Sequence, residues 1–205
     1  MKTACLDLDD FSVINSRLDL LFQLRDYFQD FRISLFTVPV EIGIDRDWGI
    51  SLIENELLAT IKKNIDWMQI IPHGLTHNGS EMRDMNYDTF KMAMNETKII
   101  FDRKGLPFEK GFKAPHWRWN KEVVRALDDE GWWGAVDPRQ PNMSKPKRYY
   151  EYSHSIDNID YSCDVLKLHG HIFGTRNDLG KCMENILKLP KDTNWKFVTD
   201  FITND

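Results

Sequence analysis

Six histidines occur in the 205 residues, and five of them fall in three short segments that follow apolar runs: His73 and His77 in PHGLTH, His116 in KAPHW, and His169 and His171 in LHGH. An i, i+4 pair such as His73 and His77 comes together on one side of a helical turn, close enough to share one cation. The segment resembles HExxH, but Gly74 stands where that motif has its general-base Glu, so that scheme for activating water fails here. Two unrelated loop histidines, one of them capping a neighbouring helix, are the plainer alternative. The acidic partner lies far away in sequence. Asp9 and Asp10 close the first apolar run, LDLDD. Along an extended strand Leu6 and Leu8 share one face and Asp7 and Asp9 the other. Adjacent carboxylates repel when buried; one bound to a cation and one left free would have distinct roles. A cap for a following turn is the simpler reading.

Cysteine contributes nothing to such a site. Cys5, Cys163 and Cys182 are an odd number without CxxC spacing, neither a disulfide framework nor a sulfur-based zinc site. Cys5 and Cys163 adjoin apolar runs and are expected as small core residues. Any metal is therefore held by carboxylate and imidazole. A rival scheme starts from Asp7-Leu8-Asp9, a DxD after an apolar strand, as in haloacid-dehalogenase-like phosphatases. It needs a second acidic pair on a strand-end loop. The best one, Asp128-Asp129, sits in VVRALDDEG, a helical pattern.

The elements that must position these groups alternate. Strands are expected over Thr3–Leu8, Arg32–Val38, Trp67–Ile71, Gly111–Ala114, Gly134–Val136, Tyr149–His154, Asp164–Leu168 and Phe197–Ile202. Helices are expected over Arg17–Phe28, Leu52–Asn64 with a Ser51/Glu54 capping box, Tyr87–Lys104 closed by Gly105, Lys121–Glu130 capped by Asn120 and stopped by Gly131, and Asn177–Leu187. This β-α rhythm predicts an α/β fold with a parallel sheet, open or closed as a barrel. The reactive residues then fall at strand carboxyl ends, which open on one face. The loop from Asp137 to Arg148, with Pro138, Pro141 and Pro146, is long enough to suggest function. Trp132 and Trp133 are expected in the core, and Trp117 is divided between core and site.

Composition narrows the classes. Hydrophobic residues are 41% and charged residues 29%, a globular balance that disfavours disorder and coiled coil. With 27 basic against 32 acidic residues the net charge is −5, without the footprint of a nucleic-acid binder. No apolar stretch approaches the roughly 18 residues that cross a bilayer. The N-terminus turns acidic by Asp7 before an apolar leader could form, so one cytoplasmic domain over residues 1–205 is expected.

In order, LDLDDF, PHGLTH, GFKAPHW, GAVDPR and VLKLHGH resemble the five motifs of the NodB-like polysaccharide deacetylases, carbohydrate esterase family four, from residue 6 to residue 171. The resemblance implies a distorted (β/α) barrel of about seven parallel strands. It implies a divalent metal, most simply zinc, held by Asp10, His73 and His77, with Asp9 as catalytic base and His169 as catalytic acid. His171, two residues on along the same strand face, is the alternative acid. Lys113 and His116 stand for the family's Arg and Tyr around the retained Pro115, and the three would position substrate and oxyanion. Asp137 would orient His169. Phe11 replaces the family's Gly, and Gln140 and Pro141 replace its Asp-Trp. The implied activity is hydrolysis of an N-acetyl or related acyl group on a carbohydrate. A deacetylase-like domain that binds carbohydrate or metal with little turnover is the alternative.

Overall fold

The computed structural model describes residues 1–40, 48–174 and 176–204. Its strands are β1 (Thr3–Phe11), β2 (Ile33–Thr37), β3 (Met68–Pro72), β4 (Gly111–Phe112), β5 (Trp133–Val136), β6 (Arg148–Glu151), β7 (His154–Ser155), β8 (Val165–His171), β9 (Asn194–Lys196) and β10 (Thr203–Asn204). The helices are α1 (Leu18–Tyr27), α2 (Trp48–Lys63), α3 (Tyr87–Lys104), α4 (Lys121–Asp129) and α5 (Leu179–Leu187). One sheet runs β3-β2-β1-β8-β7, with β9 also on β1; the other runs β10-β6-β5-β4. Apart from the β10–β6 pair, every ladder is parallel.

The two sheets curl into the staves of a distorted (β/α) barrel without a closed ladder. At one seam a parallel bridge pairs His73 with Lys113, and Lys113 N–H donates to Pro72 O at 3.2 Å, carrying β3 onto β4. At the other, the run 148–155 passes its pairing from β5, through β6, to β8, through β7. Counting that run once gives seven staves, as the motif order implies.

Alternation along β1 sorts its side chains. Ala4, Leu6 and Leu8 face outward into a core shared with Leu20, Leu21 and Leu24 of α1 and Met183 and Ile186 of α5. Cys5 points inward, into a second cluster with Phe36, Ile71, Ala135 and Tyr150. Asp7 and Asp9 continue on that inner face, both buried. Phe11, which stands where the family has Gly, packs in the outer core.

Helix signals were local and mostly strong. Asn86 and Thr89 form a reciprocal capping box on α3, which Gly105 closes at φ 58°. Asn120 accepts from the N–H groups of Glu122 and Val123 at the start of α4. Two expectations shift. The helix expected from Leu52 begins at Trp48, so Ser51 lies inside it; side chains 48–54, and with them the Ser51/Glu54 capping box, lie outside the described residues. Phe197–Ile202 is not a strand, because Val198–Phe201 forms a 3₁₀ turn after the short strand β9. Among the described residues no helix is long and apolar enough to cross a membrane.

Candidate active site

The open end of the barrel holds a cavity of 560 Å³ whose walls include Asp9, Asp10, His73, His77, His116 and His171. Six described non-glycine residues have φ in the left-handed region, and four of them, Asp10, His77, His116 and Trp117, line this cavity. Such conformations persist only where the surroundings enforce them, and they gather at functional sites.

Asp10 ends the alternation of β1. At φ 65° the chain turns, the register with β2 shifts, and the carboxylate swings outward to the imidazoles. Its Oδ1 lies 3.0 Å from His77 Nε2 and 3.4 Å from His73 Nε2. All three offer ligand atoms within 4.8 Å of one another. His73 Nδ1–H donates to Lys113 O at 3.1 Å, which fixes the ring and turns Nε2 toward Asp10. Burial raises the Asp10 carboxyl, but hydrogen bonds from both imidazoles outweigh it and hold the group well below the usual carboxylate range. The bond to Asp10 raises His77.

The chain reaches His77 by a loop rather than a helical turn. Gly74 at φ 64° explains the residue that PHGLTH has in place of Glu: a Cβ there would lie 2.3 Å from Glu81 Oε1 and 2.6 Å from Pro115 Cγ. Glu81 accepts from the N–H groups of Leu75 and His77 at 2.7 and 3.1 Å and from Thr76 Oγ1 at 2.6 Å. Sequence reading missed Glu81, which lies four residues past the last histidine of the motif.

Below the mouth sits a closed charged layer. Lys113 is fully buried, its Nζ 2.6 Å from Asp9 Oδ1, 2.9 Å from Asp7 Oδ1 and over the rings of Trp117 and Phe36 at 4.0 and 4.4 Å. The Asp9 contact is an ion pair without hydrogen-bond alignment. His169 Nδ1–H donates to Asp7 Oδ1 at 2.8 Å, and Tyr150 OH donates to Asp7 Oδ2 at 3.0 Å. Burial would raise Asp7, but the Lys113 ammonium and His169 hold it well below the usual range. Burial, then the Lys113 ammonium, lower His169 and keep it neutral.

The structure places His169, His171 and Asp137 in different surroundings. His169, expected as the acid, is 2% exposed and turned into the closed layer, whereas His171 lines the cavity. Both face inward, and the register sets Asp7 opposite His169 and Asp9 opposite His171. His171 Nε2 lies 3.8 Å from Asp9 Oδ2, and its Nδ1–H donates to Asn177 Oδ1 at 2.9 Å. Gly170 between them is required by close approach, since a Cβ would meet Ile156 Cδ1 at 2.3 Å. Among the described residues no hydrogen bond joins Asp137 to His169. Asp137 accepts from Arg139 Nε and Nη2 at 2.9 and 3.0 Å and from Tyr152 OH at 2.9 Å, and it touches His169 only through the Tyr152 ring, 4.8 Å away. These bonds outweigh burial and lower Asp137 to about 2. His169 is oriented by Asp7, a residue the sequence singled out only for the phosphatase scheme. That scheme fails in space: Asp129 Oδ2 accepts from Tyr87 OH and Asp128 Oδ1 from Lys147 N–H, away from the cavity.

Pro115 and His116 belong to a 3₁₀ turn at the cavity wall. Trp117 N–H is spent on Ala114 O at 3.0 Å. Trp132 and Trp133 are core, as expected, while Trp117 lines the site. Asp7 and Asp9 thus share one buried ammonium, while Asp10, the next residue, faces two imidazoles instead. A carboxylate with two imidazoles beside it fits a divalent cation.

No family model and no curated protein matches the chain. Solved structures do. The chitin deacetylase of Colletotrichum lindemuthianum superposes with a TM-score of 0.63 at 15% identity, over 99% of this chain and 88% of that one. A family 4 acetyl xylan esterase from Clostridium thermocellum, in complex with a cobalt ion, gives 0.60 at 14%, over 97% and 89%. A family 4 pseudoenzyme from Bacillus anthracis gives 0.60 at 14%, over 97% and 64%. The chain therefore has the fold of the family 4 carbohydrate esterases and deacetylases.

Proposed function

We propose that residues 1–205 form one catalytic domain, a metal-dependent hydrolase that removes an acetyl group from the nitrogen of an N-acetylated sugar. The observation that carries this reading is the meeting of Asp10, His73 and His77 at one point beside Asp9. Asp10 Oδ1 and the two Nε2 atoms would hold the cation, zinc being the simplest choice for two imidazoles and a carboxylate. Once bound, such a cation supplies Lewis acidity toward a carbonyl oxygen and acidifies a water. The cobalt-bound and carbohydrate-active neighbours support the reading.

The remaining work falls to the chain's own groups. Asp9, paired with Lys113, accepts the proton of the attacking water as general base. A backbone N–H near His116 would donate to the developing oxyanion, as the family resemblance implies; the Trp117 N–H is already engaged by Ala114 O. His171, steadied through Nδ1 by Asn177, donates its Nε2 proton to the departing amine, without which an amide leaves poorly. His169 holds Asp7 and Lys113 in place underneath.

Elemental analysis of protein purified without added metal is expected to find near one equivalent of zinc, lost in His73→Ala and in Asp10→Ala. Acetate release from N-acetylated sugar oligomers completes the test. Asp9→Asn should keep the metal and lose the acetate. Metal bound without acetate from any N-acetylated sugar would favour a binding domain with little turnover, a reading encouraged by the pseudoenzyme neighbour and by Lys113.

A further inference from the structure

The cavity continues beyond the candidate active site into a second lobe of 590 Å³, and the two lobes share Trp117, Arg118 and Gln140. Their charges differ. The first lobe carries Asp9, Asp10 and Asp137 beside Arg118 and Arg139; the second adds Arg83, Trp119 and Asn142 and has no carboxylate in its lining. In a chain of net charge −5, two arginines and two tryptophans in one concavity without an acid are a built contrast.

The arginines are not equivalent to others nearby. Arg139 is neutralised by Asp137, and Arg125 by Glu122 at 2.9 Å. Among the described residues Arg118 has no ion-pair or side-chain hydrogen-bond partner. Arg83 has only the exposed Asp84, at 3.7 Å. The lobe is nonetheless firmly framed. His116 and Trp117 occupy successive left-handed conformations, φ 55° and 58°, which turn Trp117 onto Lys113 and deliver Arg118 to the cleft. Asn120 Nδ2 donates to Arg83 O at 2.9 Å, and Trp119 Nε1 donates to Ser144 O at 2.9 Å, tying the loop wall to the lobe.

We propose that this lobe binds a phosphate or carboxylate carried on the same N-acylated sugar whose acyl group reaches the Asp10–His73–His77 end. The substrate class is thus an anionic amino sugar or glycan rather than a neutral one. The assignment of the acyl end rests on the hydrolase reading. Arginine presents a planar fork to an oxyanion, and the indole faces take the sugar ring between the two ends.

Isothermal titration at low salt tests this with chitotriose as the neutral probe. UDP-N-acetylglucosamine and N-acetylglucosamine 1-phosphate supply phosphate, and a hyaluronan tetrasaccharide supplies carboxylate. At least one anionic probe should bind about tenfold or more tightly than chitotriose, one charge-assisted contact being worth about that factor. Arg118→Ala should remove that preference and leave chitotriose unchanged. Arg118→Lys should keep part of it, and Arg83→Gln should weaken it in the same direction. The phosphate and uronate probes separate the two sources of the oxyanion. Equal affinity for neutral and anionic probes, or equal weakening of both by Arg118→Ala, would overturn the proposal. Acetate measured on the same probes separates the two readings. Anion preference without acetate keeps the lobe and defeats the hydrolase. Acetate from chitotriose without anion preference does the reverse.

Discussion

Two layers of the barrel interior are built from the same strands, two residues apart, and behave oppositely. In the lower layer Asp7, His169, Tyr150 and Lys113 satisfy one another in a closed, dry network. In the upper layer Asp9, Asp10, His73, His77 and His171 face a cavity with their lone pairs turned toward a shared space. Both layers contain an aspartate of β1 opposite a histidine of β8. Residue type therefore does not distinguish chemistry from structure here; depth along the strand does. One step of about 6.6 Å, two residues of strand, moves the same pair from a closed ion cluster to the wall of the cavity.

The harshest way to break the lower layer is Lys113→Met. It strands Asp7 and Asp9 without their cation, and loss of one partner in a buried charged cluster costs about 3–5 kcal/mol. Urea unfolding should register that loss. His77→Ala in the upper layer removes a half-exposed pair with Asp10, and its cost without metal should stay within about 1 kcal/mol. If the two variants destabilise equally, the layers are not different in kind.

Exchanging the roles of the two histidines sharpens the contrast. His171→Gln should lower the rate of acetate release by about 10²-fold or more, the usual worth of a general acid, with zinc content and unfolding midpoint near wild type. His169→Gln should instead destabilise by about 1–3 kcal/mol, since a buried carboxylate loses a donor. A large rate loss in a stable, metal-loaded His169→Gln would return the acid to position 169.

This division was only half legible in the sequence. Alternation placed Asp7 and Asp9 on one face of the first strand, and the order of the motifs carried the barrel with its seven staves. The spacing LHGH shows that both histidines share a face, but periodicity carries no depth, and the choice between 169 and 171 depends on where β8 ends. The strand was expected to stop at Leu168 because the histidines are polar. It runs to His171 because Asp9 and its neighbours on β1 supply partners across the ladder. Phe197–Ile202 failed for the opposite reason: an apolar hexamer looks extended, yet Phe197 N–H donates to Asp200 Oδ2 and the chain coils. Glu81 and Asn177 hold the site through contacts with no local signature. The capping residue Asn120 was legible because its hydrogen bonds stay within a turn.

The layers should also separate by pH. His169 is lowered in the folded protein by burial and by Lys113, so the unfolded chain binds more protons and stability rises with pH. Its contribution is complete above the unfolded value of about 6.5 and is lost as pH falls below it. Asp7, also lowered, adds a second loss below about pH 4. Unfolding free energies of metal-free protein between pH 8 and pH 3 should therefore fall in two stages. The stage nearer neutrality should vanish in His169→Gln, while His171→Gln leaves it intact. A single acid transition common to all three proteins would contradict the closed lower layer.

The smallest effect probes how the upper layer is held. Asn177 accepts from His171 Nδ1 and touches no reacting atom, so it can act only by orienting the ring and fixing which nitrogen carries the transferable proton. One neutral hydrogen bond is worth about 1 kcal/mol, or about a fivefold change. Asn177→Ala should accordingly reduce kcat about fivefold with KM and zinc content unchanged, and Asn177→Gln or Asn177→Ser should recover part of the loss. A merely structural asparagine would instead shift the unfolding midpoint and leave kcat per folded, zinc-loaded molecule alone. The lower layer thus fastens His169 to an ionised Asp7, whereas the upper layer fastens His171 to a neutral amide.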